Sequence, residues 1–129
     1  ITGLIAAGLL IGVAGFQVAL AAGAAWGHLA FGGRAVEAPG PLPPRMRRVS
    51  GANAAALVLM AVLTLDGSGW LSLGVPPAAQ RVVLWALCGF MALNTVGNLA
   101  ARHPFERFGM GAVSLTLALL LGRLALGLG

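Results

Sequence analysis

The chain has 129 residues, of which 59% are hydrophobic and 9% charged; eight Arg, no Lys and three acids give a net charge of +5. Mean hydropathy is +0.94. A soluble domain carries roughly a quarter of its residues as charges, so this chain cannot cover a water-facing surface. Disorder needs low hydrophobicity, and Cys88 alone cannot build a disulfide scaffold.

Four apolar runs follow in chain order, each near the 20 or so residues that cross a bilayer as helix. None alternates with period two, so a β-barrel is not expected. The first helix is expected over 1–31, with only Gln17 and His28 strongly polar. It exceeds a bilayer's need and is expected to tilt or project. It lacks the basic n-region and short apolar core of a signal peptide, so it reads as a retained helix. Connector 32–48 holds Pro39, Pro41, Pro43 and Pro44 with four Arg, and reads as an extended loop. Pro43-Pro44 suits a helix start, which sets the second helix at 44–65. Arg45, Arg47 and Arg48 then reach out to headgroups.

Connector 66–81 carries Gly67, Gly69, Gly74 and Pro76-Pro77, with Trp70, Leu71 and Leu73 between them. It is expected on the membrane surface. The third helix is placed at 81–101. Arg102-His103 is a bare turn, and Pro104 with Glu106 signals the start of the fourth helix, at 104–128. The expected fold is all-α: an integral membrane four-helix up-down-up-down bundle, one transmembrane domain over 1–129.

Arg counts give the direction. The first and third connectors hold Arg34, Arg45, Arg47, Arg48, Arg102 and Arg107, against Arg81 and Arg123 on the other side. The excess belongs in the cytoplasm of a bacterial inner membrane, with both termini outside. Trp70 and Trp85 fall near the outer interface, and Trp26, Phe31, Phe105 and Phe108 near the inner one. The Arg residues sit in connectors and form no soluble basic stripe, so they suit anionic lipid and not nucleic acid.

Small residues recur every three or four positions in two helices. Gly8, Gly12, Gly15, Ala19, Gly23 and Gly27 mark the first; Gly111, Ser114, Ala118, Gly122 and Ala125 mark the fourth. Such stripes let helix backbones approach closely. Packing inside the bundle is the commoner use. The alternative is contact with a second copy or another membrane protein, and the first helix is the choice for that role.

Polar groups inside a membrane need a reason. Asn94 and Asn98 lie one turn apart, with Asn53 and His28 expected at similar depth. The amides either hold helices together or line a small polar pocket with His28. His28 is also the candidate cofactor ligand, for a haem or a chlorophyll-type pigment. Ala24-Ala25-Trp26-Gly27-His28 resembles the Ala-x-x-x-His pattern of bacterial light-harvesting helices, and His103 is the partner a bis-His haem would need. A salt bridge from Arg123 to Asp66 competes with snorkelling of Arg123. Cys88 has no basic neighbour in sequence to activate it.

No carboxylate is expected in the middle of a helix. There are no paired acids, no Cys-x-x-Cys and no His-rich metal motif. The absence of a catalytic set weighs against an enzyme. Two segments, Gly32-Gly33-Arg34 with Leu42-Pro43-Pro44-Arg45-Met46-Arg47, and Leu93-Asn94-Thr95-Val96-Gly97-Asn98-Leu99-Ala100-Ala101-Arg102 with Glu106-Arg107, resemble a set of small, uncharacterised bacterial four-helix membrane proteins. The resemblance implies the bundle and no activity. The expected role is a structural or accessory subunit of a membrane complex. The alternatives are a dimeric small-solute transporter or channel, and a haem- or pigment-binding subunit.

Overall fold

The computed structural model describes residues 1–30, 40–101 and 103–128, and of His28 the backbone only. Its helices are α1 (Thr2–Ala21), α2 (Pro44–Gly67), α3 (Pro77–Leu99) and α4 (Gly111–Ala125), with a π-helical segment (Phe105–Met110) leading into α4. No strand occurs among the described residues. The four rods run 20, 24, 23 and 21 residues when the π-helical segment is joined to α4. At 1.5 Å per residue each is about 30 Å or longer, the thickness of a bilayer's hydrocarbon core. Val82, Phe90, Leu93, Val96 and Leu119 are all more than half exposed on these rods. Large apolar side chains facing outward suit lipid, and the protein is an all-α multi-pass membrane protein.

Proline opens α2 and α3, and glycine closes α1, α2 and α4. Pro44 and Pro77 stand in the first turns of α2 and α3, where a missing N–H costs nothing. The rule that places Pro44 applies equally at Pro77, so α3 begins four residues before the expected 81. α1 ends at Ala21 and not at 31. Gly23 has φ +98°, its N–H bonds Leu20 O at 3.1 Å, and the Ala24 N–H bonds Ala19 O at 2.9 Å. This six-residue closure needs a left-handed residue that glycine adopts freely; α2 and α4 close in the same way at Gly69 and Gly127.

The apolar run continues past Ala21 because the chain turns back onto the bundle. Gly27–Leu29 forms a 3₁₀ turn, and the Gly27 N–H bonds Gly40 O at 2.8 Å. Ala30 and Leu42 are buried with Leu20, packed by Phe16 and Met46. Gly23 and Gly27, expected on the first helix's stripe, therefore lie beyond that helix, one as its terminator and one in the turn. Phe31 and the connector residues 32–39 lie outside the described residues.

The bundle consists of two tight antiparallel hairpins, α1 with α2 and α3 with α4, that meet along α1–α4 and α2–α3. In the first hairpin α1 buries Gly3, Ala6, Ala7, Leu10 and Ala14, and α2 buries Ala54, Leu57, Met60 and Ala61. A Cβ on Gly3 would overlap Ser68. At the other end Arg47 does not extend to headgroups as expected. Its Nε donates to Ala21 O at 3.0 Å, a cation on the negative end of α1. Arg45 and Arg48 are exposed.

Asp66, at the end of α2, is 4% exposed. Its Oδ1 accepts the Leu73 N–H at 2.9 Å and its Oδ2 accepts from Gln80 Nε2 at 3.0 Å. One carboxylate thus ties the loop to both α2 and α3 and makes no bridge to Arg123, the alternative to snorkelling of that residue. Arg81 and Arg123 are both exposed.

Candidate functional site

A cavity of about 270 Å³ opens where all four rods meet, in the half of the bundle that carries the first and third connectors. Its polar wall is Gln17 from α1, Asn53 from α2, Asn94 and Asn98 from α3, Glu106 from the π-helical segment and Ser114 from α4. Its apolar wall includes Phe16, Met60, Phe90 and Met91. The three asparagines of the expected pocket are therefore brought to one space. His28 is expected there too, but its side chain lies outside the described residues.

The asparagines do not do the same work. Asn98 Nδ2 donates to Ser114 Oγ at 3.1 Å and to Met110 O at 3.2 Å. Ser114 Oγ in turn reaches Met110 O at 3.0 Å, and Thr95 Oγ1 lies 3.1 Å from it. A hydroxyl has one donor and two acceptor positions; Ser114 donates to a backbone carbonyl of its own helix and accepts from Asn98, while the one Thr95 proton is shared between Met91 O at 2.9 Å and Ser114. This network joins α3 to α4, and Asn98 is interhelical glue that also faces the cavity. Asn53 and Asn94 make no side-chain hydrogen bond among the described residues. Their amides are unspent.

Gln17 adds the feature that marks the space as more than a packing defect. Its Oε1 is buried and has no hydrogen-bond partner. An unmet buried acceptor costs about 1–3 kcal/mol, which a close-packed core does not retain without cause. Ser50 Oγ is also buried and unpartnered, but Ser50 does not line the cavity. The sequence carried a signal for Gln17: it is the one amide in a 20-residue apolar helix.

Glu106 is the second lining residue that pattern reasoning passed over. As an acid beside Pro104 it reads as a helix-start residue at the interface. It is instead 9% exposed and forms part of the cavity wall. The cause is the π-helical segment, in which the Gly111 N–H reaches Glu106 O five residues back. The wider turn adds a residue and rotates the preceding side chains, a device frequent at functional sites. Aromatic rings brace it: Phe16 stacks on Trp26 with centroids 6.0 Å apart and meets Phe105 at 5.8 Å.

His103, the other cofactor candidate, is tied locally, its Nδ1 accepting the Phe105 N–H at 3.0 Å. No three His, Cys, Asp or Glu gather among the described residues. Cys88 Sγ lies 3.2 Å from Ala118 O, donating across the α3–α4 seam.

The two stripes face opposite ways. A Cβ at Gly111 would meet Leu99 at 3.4 Å and one at Gly122 would meet Cys88 Sγ at 3.4 Å, while Gly8, Gly12 and Gly15 have nothing within 4 Å. No protein family, no curated protein and no solved structure matches the chain.

Proposed function

We propose that the protein is a small-solute transporter or channel of the bacterial inner membrane, and that the cavity between its four helices is the solute site. One observation carries this reading: amides from three different helices, Gln17, Asn53 and Asn94, converge on an intramembrane space without a protein partner for their hydrogen bonds. Polar groups at membrane depth are expensive and line solute paths or satisfy one another. These three do not satisfy one another. The Arg-rich end faces the cytoplasm in this reading and both termini face out, from the six-to-two Arg bias. The cavity then opens toward the cytosolic half.

The test separates site from scaffold. Asn53→Leu with Asn94→Leu removes two unspent amides, and uptake is expected to fall at least tenfold with the fold retained. Asn98→Leu breaks the α3–α4 network and is expected to lower stability as well. Equal loss of stability in both variants would assign all three amides to the scaffold.

The reading as a structural or accessory subunit rests on a different observation, the open face of α1 at Gly8, Gly12 and Gly15. Close backbone approach of a further helix, from a second copy or another membrane protein, is what such a face permits. A strictly monomeric species in mild detergent, with nothing co-purifying from native membrane, would overturn it.

A further inference from the structure

We infer that the cavity takes a small, uncharged solute that both donates and accepts hydrogen bonds, of the carboxamide or urea class, with Gln17 as the residue that selects it. This rests on the cavity being the solute site. Size sets the first limit. About 270 Å³ lies just under the roughly 300–1,000 Å³ of sites for drug-sized ligands, so the space admits a small solute together with several waters at about 30 Å³ each.

Charge sets the second limit. The described lining holds no Arg, Lys or His, and an anion there would be desolvated without compensation. Glu106 is the one acid in that lining, and it has an interaction of its own, so recognition rests on the amides and the charged probes below test the carboxyl. Among the described residues, the groups left open to a solute are neutral: the carboxamides of Gln17, Asn53 and Asn94. Each offers N–H donors on one side and a carbonyl acceptor on the other.

The unmet Oε1 of Gln17 sets the third limit. A solute that supplies an N–H there takes the place of water on an acceptor that no protein group serves. An isostere without the donor leaves that acceptor buried and unpaired, which is how a polar site rejects the wrong molecule. Water can serve the amides while the site is empty, and a matching solute displaces it. Phe16, Phe90, Met60 and Met91 supply the flat, polarisable walls that suit a small planar amide.

The full chain in proteoliposomes tests this by stopped-flow light scattering against protein-free vesicles, with acetamide and urea as neutral probes. Tetramethylammonium and methanesulfonate are charged probes of similar size. Acetamide and urea are expected to cross faster than through lipid alone, and the charged probes are not. Gln17→Met, which keeps the volume and removes the amide, is expected to cut acetamide flux about tenfold, the loss of one hydrogen bond of about 1.4 kcal/mol. Its unfolding midpoint is expected to stay level or rise, because no bond within the fold is lost; Asn94→Leu is expected to show the same pair of results.

Passage of a charged probe in place of acetamide overturns the solute class and leaves the transport reading standing. Passage of no probe overturns the transport reading and this inference with it. Neutral flux that Gln17→Met leaves intact, or a Gln17→Met variant less stable than the parent, removes Gln17 from its selecting role.

Discussion

Two ridges of small residues run along this bundle, and they face opposite ways. On α4, Gly111, Ser114, Ala118 and Ala125 are buried against neighbouring helices, and Gly122 sits against Cys88 of α3. On α1, Gly8, Gly12 and Gly15 are exposed, while a neighbouring face carrying Gly3, Ala7, Leu10 and Ala14 is buried. Spacing alone cannot separate the two cases, since both ridges repeat at three or four residues. What separates them is complementarity. α3 offers Thr95, Asn98 and the Cys88 thiol to the α4 ridge. α2 offers Met60, Leu57 and Ala61 to the leucine-bearing face of α1, where Leu10 gives these side chains a knob to pack around.

Substitutions can break this contrast. The largest effect is expected from Gly111→Leu combined with Gly122→Leu, which overpacks the α3–α4 seam at two separated points. Each costs about 1–3 kcal/mol and the two are expected to add. Unfolding by SDS titration reads the sum directly, and a wild-type midpoint would show that the seam is loose. Ser114→Val is expected to cost about 0.5–1.5 kcal/mol, since Asn98 loses one of its two acceptors and keeps Met110 O, while Thr95 keeps Met91 O. The same titration checks it, and a further Asn98→Leu change is expected to cost less in that background than alone.

Effects on the α1 side are expected to be smaller. Arg47→Gln removes the cation at the end of α1 and is expected to cost about 0.3–1 kcal/mol; hydrogen exchange at Leu20 and Ala21 detects the fraying. Gly12→Leu is expected to change monomer stability by less than about 0.5 kcal/mol, because no atom of the protein stands in its way. Its readout is association: size in mild detergent stays the same if α1 faces only lipid, and shifts if the ridge seats another helix.

The candidate site was partly legible. Asn94 and Asn98 share a face because they are four apart, and Asn53 lies at matching depth once α2 starts at Pro44. That Asn98 is glue while Asn53 and Asn94 are unspent was not legible, because all three have the same chemistry and differ only in what stands opposite. Gln17 was visible as an oddity, and Glu106 was masked by its position beside Pro104. The π-helical turn that carries Glu106 inward has no signature in composition or period.

The sequence by itself determined that the chain is membrane-embedded and helical. Twenty-residue apolar stretches without water must satisfy their backbones internally, whatever they pack against. It also determined where the second helix begins, at Pro44; Pro77 and Gly23 follow the same local rules, but the apolar runs around them hid the start of α3 and the end of α1. Tertiary structure decided which face of each helix turns inward, that residues 22–30 fold back, and that four rods leave a space lined by amides. Those outcomes depend on the shape of a partner surface that no single segment encodes, and a bilayer, being apolar on every side, gives a helix no instruction about which way to turn.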